Sequence, residues 1–356
     1  MNIYINHNNS GSRYYRLIPQ LKHMQSLGHK VILEPHDERH IPEHIKWADV
    51  VIFQMTLHPG YAKMARNLGK KVIFECDDLI HAVPPTHYSY PETRGLKNRI
   101  RWWYRLISMF WHCHGFITTT DNLNKIYGKF FKDRLVFPNY IDIPHWLKDT
   151  KKNTTDEIRL LWAGSTSHTG DLQMIKPVLD RILRKYPKVK FIYIGTGGIK
   201  SDDLNAKFIY GEDLFEGLPE NRESMLSMVG NLWPYTLASL QADIAIAPLD
   251  KNYFNKFKST CKALEYGING IPGVYSAWHY KDYIINGHNG FLAETEEDWI
   301  AALSILIEDE TKRREMGENA KEIALKNNIN NYIGDWQGFI EQYAVDSNSI
   351  KESSKV

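Results

Sequence analysis

Lys258, Ser259 and Glu265 are the residues of this sequence best suited to hold an anionic, hydroxyl-rich ligand. They lie in the stretch Pro248 to Gly273, PLDKNYFNKFKSTCKALEYGINGIPG. The run before it, ADIAIAPL, reads as a buried parallel strand. A polar loop with Asn252, Asn255 and Lys256 follows, and then a short helix from near Ser259. Gly267, Gly270 and Pro272 end that helix. Such a unit turns backbone N–H groups toward whatever lies beyond the strand's carboxyl end. An ammonium, a hydroxyl and a helix dipole together favour a diphosphate. Glu265 sits about two turns further on and can face the same cleft. A carboxylate there matches the vicinal hydroxyls of a ribose, because it only accepts hydrogen bonds.

A second segment has the parts of a phosphate loop. Gly164, Ser165, Thr166, Ser167 and His168 follow the apolar run IRLLWA and precede a helix from Asp171 to Lys185. They offer close backbone approach, hydroxyls and a helix start. A protonated His168 would add a charge toward a diphosphate, while an ordinary Ser/Thr helix cap explains the same residues. Asp77 and Asp78 end the strand KVIFEC, and His81 and His87 follow in a Pro-containing loop. Adjacent aspartates in the first half of the chain do not read as a metal site. Either histidine can orient or deprotonate a hydroxyl, although loop histidines are usually plain surface residues.

Residues 94–114, RGLKNRIRWWYRLISMFWHCH, read as a helix with an apolar stripe and a cationic flank. Arg94, Lys97, Arg99, Arg101 and Arg105 interleave with Trp102, Trp103, Tyr104, Phe110 and Trp111. Three readings stay open: a helix lying on an anionic membrane, a track for nucleic acid, or a core helix with a solvated basic face.

These residues need a scaffold of alternating strands and helices. Strands are expected at 2–6, 30–35, 48–54, 71–76, 115–120, 158–164, 190–198 and in the ADIAIAPL run. Helices are expected at Arg13–Leu27, from Lys63 to Leu68, at Glu296–Glu308 and at Thr311–Lys326, with a last one at about Tyr332–Tyr343. Asp121 is the expected cap of the helix after GFITTT. The strand–turn–helix–strand start carries only Gly11, followed by Ser12, and lacks the dinucleotide fingerprint. Gly195 to Gly198, including Gly197, form a loop where a base can lie against backbone. The polar run Lys148 to Glu157 reads as a hinge. The expected division is 1–150, 151–330, a crossover segment 331–345 and a polar, disordered tail 346–356.

At 356 residues the chain can form two domains, and its net charge of +2 demands no nucleic-acid partner. Three distant cysteines make neither a zinc spacing nor a disulfide framework, which fits a reducing compartment. The first residues lack a signal peptide's apolar core, and no window approaches a membrane span. A cytoplasmic protein is the expectation, with peripheral membrane contact confined to 94–111.

The pattern of Asn255, Lys258, Ser259, Lys262, Leu264, Glu265 and Tyr266 resembles the donor signature of retaining glycosyltransferase family four. So do Gly164-Ser165 with His168, Asp171 and Leu172, the Pro138-Asn139-Tyr140-Ile141-Asp142 turn, and Ile284 to Leu292. The family has the GT-B fold: α/β, two Rossmann-like domains facing across a cleft, with a C-terminal helix crossing back to the first. The resemblance implies transfer of a sugar, with retention, from a nucleotide-sugar to an acceptor hydroxyl. It suggests a UDP-sugar as the donor substrate and no further cofactor or metal. On it, Glu265 holds the ribose, Lys258, Ser259 and Ser165 hold the diphosphate, and Gly11 and Ser12 approach donor or acceptor. Asp77, Asp78 and His81 lie on the acceptor side. Phe257 stands where the family's first Glu contacts the transferred sugar, which puts that contact in doubt. A polysaccharide or lipid-linked glycan is the implied acceptor, with hydroxymethylated bases of DNA as the alternative. An epimerase or hydrolase, or a non-catalytic nucleotide-sugar binder, are the rival activities on the same fold.

Overall fold

The computed structural model describes residues 1–8, 11–35, 39–87, 89–148, 153–195, 214–225 and 232–353. Two six-stranded sheets carry the chain, and every strand pairing in them is parallel. The first is ordered β2-β1-β3-β4-β5-β6. Its strands are β1 (Asn2–His7), β2 (Lys30–Pro35), β3 (Val50–Gln54), β4 (Lys71–Cys76), β5 (Gly115–Thr118) and β6 (Asp133–Val136). The second is ordered β12-β11-β10-β7-β8-β9. It contains β7 (Ile158–Ala163), β8 (Val189–Ile194), β9 (Arg222–Met225), β10 (Ile244–Ala247), β11 (Gly273–Ser276) and β12 (Phe291–Ala293). The central strands are apolar runs because helices cover both faces of a parallel sheet. Val50 to Phe53 and Ile244 to Ala247 are accordingly buried.

In each sheet the strand order reverses beside the first strand, between β1 and β3 and between β7 and β10. Loops leave in opposite directions there, so a crevice opens beyond the strands' carboxyl ends. The Gly11–Ser12 turn leaves β1, the Gly164–His168 loop leaves β7, and the Lys258 loop leaves β10.

Several local expectations are corrected. The first helix is two pieces, α1 (Arg13–Arg16) and α2 (Ile18–Ser26), because Pro19 starts a new helix after Leu17 leaves helical geometry. Thr120, not Asp121, caps the helix Asp121–Ile126; its hydroxyl accepts from the Leu123 amide. The basic aromatic helix is α3 (Leu96–His112), and the helix after the phosphate loop is α4 (Thr169–Lys185). The donor helix, α5 (Cys261–Ile268), starts past Ser259, since a 3-10 turn at Asn255–Phe257 takes up the chain before it. The helix α6 spans Glu310–Lys326.

The last helix, α7 (Ile333–Ser353), crosses onto the first half as expected. Ile333, Trp336, Ile340 and Tyr343 pack against Ile3, Ile5, Leu17 and Leu21. It continues past the expected end into the polar tail, where no Gly or Pro interrupts it. The two crossings of the chain lie side by side: Ile141 and residues 327–329 exchange backbone hydrogen bonds, and Tyr140 stacks on Tyr332 at 4.1 Å.

The halves also exchange aromatic side chains. Phe254 and Phe257, from the second half, are buried in the core of the first with Leu79, Leu123 and Phe131. Tyr15, from the first half, is buried in the core of the second with Trp146 and Leu264.

Candidate functional site

Tyr266 seats α5 at the switch point. Its hydroxyl accepts from the Ala163 amide at 3.1 Å and lies 3.3 Å from the Ile246 carbonyl, bridging the ends of β7 and β10. That fixes the helix start over the crevice, and no side chain caps it. One residue earlier on the same helix, Glu265 is 4% exposed. The Tyr15 hydroxyl donates to its Oε1 at 2.5 Å, and Lys262 Nζ reaches Oε2 at 3.0 Å. Burial and the neighbouring acid push the Tyr15 hydroxyl well above its ordinary value, so it is a phenol donor. Tyr15 was missed by sequence reading, because nothing local links positions 250 residues apart.

Lys258 follows the 3-10 turn in extended geometry, its Nζ 4.9 Å from the centre of the Phe254 ring. Across the crevice stand Asp77 and Asp78. Burial raises both carboxyls; Arg16 chiefly pulls Asp77 back, and Lys258 chiefly pulls Asp78 back. The structure therefore brings the expected acceptor-side acids close to the expected diphosphate cation. Ser259 Oγ accepts from Asn139 Nδ2 at 3.0 Å, which ties it to the first half.

Asn255 does not face the crevice freely. Its side-chain NH₂ donates to Asp171 Oδ1 at 2.7 Å and to the Asp250 carbonyl at 2.9 Å. Asp171 is 2% exposed and also accepts from the Asp250 amide at 2.7 Å. Its other oxygen lies 2.7 Å from His168 Nδ1. This carboxylate thus holds the loop after β10 and the loop after β7 in one register. The signal for it is its i,i+3 spacing from His168. Burial first, and then the charge of Lys258, lower His168 to about 4. The unliganded site therefore presents a neutral imidazole at neutral pH.

Glycine is required where the two loops cross. A Cβ on Gly195, at φ +95°, would meet the Gly164 carbonyl, and one on Gly164 would meet the Trp162 ring. Ser165 is exposed, and its hydroxyl lies 2.8 Å from that of Ser167. The Thr166 side chain and Gly197 lie outside the described residues. On the facing domain, Gly11 precedes α1 and Ser12 stands at its start, where Gln54 Nε2 donates to Ser12 Oγ at 3.1 Å. Beneath them, Arg16 and Glu75 form a buried ion pair at 2.6 Å. His81 lies further out; its Nδ1 is 2.6 Å from the Tyr127 hydroxyl and its ring 4.5 Å from Trp103. Among the described residues no group of three or more His, Cys, Asp and Glu gathers as a metal site.

Several histidines around this crevice are kept neutral, which makes the fold acid-sensitive. Burial lowers His7, His81, His168 and His279 to about 4 and His87 to about 3. In the unfolded chain each protonates near 6.5. Below that pH the unfolded state binds more protons, so stability rises with pH between about 4 and 6.5 and is lost on acidification through that window. Each proton of difference adds a slope of about 1.4 kcal/mol per pH unit. Urea midpoints between pH 7.5 and 4.5 should fall steeply; a flat profile would contradict the buried, neutral histidines.

No known family profile matches the chain, and no curated protein is similar to it in sequence. Solved structures do match in fold. Anabaena HepE, in complex with UDP, is 13% identical over 96% of this chain and 100% of its own, with a TM-score of 0.64. Sucrose-phosphate synthase from Thermosynechococcus elongatus is 11% identical over 99% of this chain and 100% of its own, with a TM-score of 0.61. S. aureus TarM, crystallised with UDP, is 16% identical over 82% of this chain, with a TM-score of 0.53; the match spans 55% of TarM. The two parallel sheets, the crevice at their switch points and the returning helix define a GT-B fold.

Proposed function

We propose that this chain is a metal-independent, retaining glycosyltransferase that moves a sugar from a UDP-sugar to an acceptor hydroxyl of a glycan or lipid-linked glycan. The observation that carries the reading is buried Glu265 on α5, held by Tyr15 and Lys262, with the Lys258 charge felt by His168 in the neighbouring loop of the second sheet. The choice of UDP rests on neighbours of the same fold crystallised with UDP or UDP-glucose. Glu265 accepts hydrogen bonds from the ribose hydroxyls in place of Tyr15. Lys258 and the start of α5 meet the charge that develops on the leaving diphosphate. The bond from the anomeric carbon to the acceptor oxygen forms on the face from which the phosphate oxygen departs. That phosphate oxygen takes the acceptor's proton, so no protein base is required. Closure of the halves brings the acceptor to the anomeric carbon and excludes water.

The experiment is a thermal-shift panel of UDP, GDP, CMP and dTDP with their sugars, followed by an acceptor screen. At about a hundred times its dissociation constant, a ligand stabilises by roughly 2.7 kcal/mol. Lys258→Ala should lower kcat by on the order of 10²–10³, with a smaller effect on KM, because its contact strengthens as the leaving group charges. Full activity in that variant would remove Lys258 from the mechanism. An epimerase is among the structural neighbours; turnover of the nucleotide-sugar without any acceptor would select that reading instead.

A further inference from the structure

We propose that the outer end of the cleft is an amphiphile site, taking a polar head and an anionic link in a groove and a hydrocarbon chain along α3. The placing of this ligand as the acceptor rests on the transferase reading; the site itself does not. The groove holds about 350 Å³. His81, Tyr90, Arg99 and Trp103 line it from the first half, and Tyr253 and Phe254 from the second. Aromatic faces suit sugar rings and apolar bodies, and His81 and Asn252 add polar atoms. The groove adjoins the donor crevice, because Phe254 is common to both: its ring lines the groove and also lies 4.9 Å from Lys258 Nζ.

In the other direction the groove opens onto the exposed face of α3. Leu96, Ile100, Tyr104, Ile107 and Trp111 fall on one side of the helix, and the first three are 76%, 61% and 72% exposed. A contiguous apolar strip of this kind on an otherwise well-packed domain marks a contact surface. The packed side is separate, with Leu106, Met109 and Phe110 buried in the core. Arg99 and Trp103 line both the groove and this strip, so a cation stands at their junction. Lys97 and Arg101 are exposed on the helix beside the strip, and no acidic residue occurs from Arg94 to Thr120. Polar pocket, cation and apolar strip follow one another in the order of an amphiphile whose head and chain are joined by a phosphate. A nucleic acid offers repeated phosphates but no hydrocarbon for the strip, so the amphiphile is the better match. Among the described residues no helix is long and apolar enough to cross a membrane, so the contact would be made from the surface.

The test uses dodecyl phosphate below its micelle concentration, with inorganic phosphate and dodecyl maltoside as matched controls, on the full chain without nucleotide. Isothermal titration should show dodecyl phosphate binding at least tenfold tighter than either control. Arg99→Gln and Ile100→Asp, both on exposed positions, should each weaken it at least tenfold while leaving any UDP shift unchanged. Equal binding of free phosphate would place the affinity in the anion alone and overturn the proposal. So would binding unchanged in both variants, salt-sensitive duplex DNA binding lost in the same variants, or a concentration-dependent dimer dissolved by Ile100→Asp. Dodecyl phosphate binding with no UDP shift would keep the site and remove the transferase reading. A UDP shift with no dodecyl phosphate binding would remove the site alone.

Discussion

Glu265→Ala is expected to abolish stabilisation by UDP and to lower kcat/KM by on the order of 10²–10³. The side chain is 4% exposed and held on two sides, by Tyr15 and by Lys262. Its position is therefore set before a ligand arrives, and little ordering entropy is lost on binding. A ribose diol must take the place of the Tyr15 hydroxyl, which comes from the opposite half of the molecule. Tyr15→Phe separates the two partners. It frees Oε1 without moving the carboxylate, so UDP should bind as well or up to about tenfold tighter, in line with a net hydrogen bond of about 0.5–1.5 kcal/mol. The alanine variant can also lose stability, since it leaves the Tyr15 hydroxyl buried without its acceptor. Glu265→Gln keeps the volume and an acceptor oxygen, and serves as the folding control. If the Ala and Gln variants both fold and retain the full UDP shift, Glu265 does not hold the nucleotide.

The second large effect concerns Phe257, which stands where the resembled family places a sugar-contacting Glu. Here the ring is 3% exposed and packed in the core of the first half, with an edge contact to Tyr253 at 5.1 Å. The backbone around it is tied to the same half: its carbonyl accepts from Thr120 Oγ1, and that of Lys256 accepts from Asn122 Nδ2. The position therefore joins the two halves. Phe257→Glu removes a buried ring and places a carboxyl among apolar side chains, without a charge partner among them. Loss of the ring alone costs about 3–5 kcal/mol, and the carboxyl must either neutralise or drag in water. That is a large share of the ~5–15 kcal/mol that holds a typical domain folded. Urea denaturation should show at least that loss, with no gain in transfer rate. A stable variant with raised activity would mean that position 257 faces the sugar after all.

Much of the fold is legible along the chain. Runs such as VVIF and IAIA have the uniform apolarity of strands covered on both faces, and Gly28, Gly69 and Gly270 end helices at positive φ. The chemistry at the loop ends is legible for the same reason: Lys258, Ser259 and Glu265 lie within a few turns of one strand–loop–helix unit. Spacing rules on helices and strands reach only a few residues, and they were sufficient there. They failed where local geometry competes, as at Pro19, which divides the first helix, and at Thr120, which caps in place of Asp121.

The amino-acid sequence alone sufficed for the class of architecture and for locating the polar loops after β7 and β10. Which distant side chains meet is visible only in the folded molecule. Tyr15 on Glu265, Phe257 in the facing core, and Asp171 between His168 and Asn255 join residues separated by 59 or more positions in most of these cases, as the Arg16–Glu75 pair also does. The Tyr15 and Phe257 contacts depend on how the two sheets dock, and the other two on how segments around different strands pack within one half. That docking is the sum of many weak apolar contacts, and none of them leaves a period or a spacing in the local sequence.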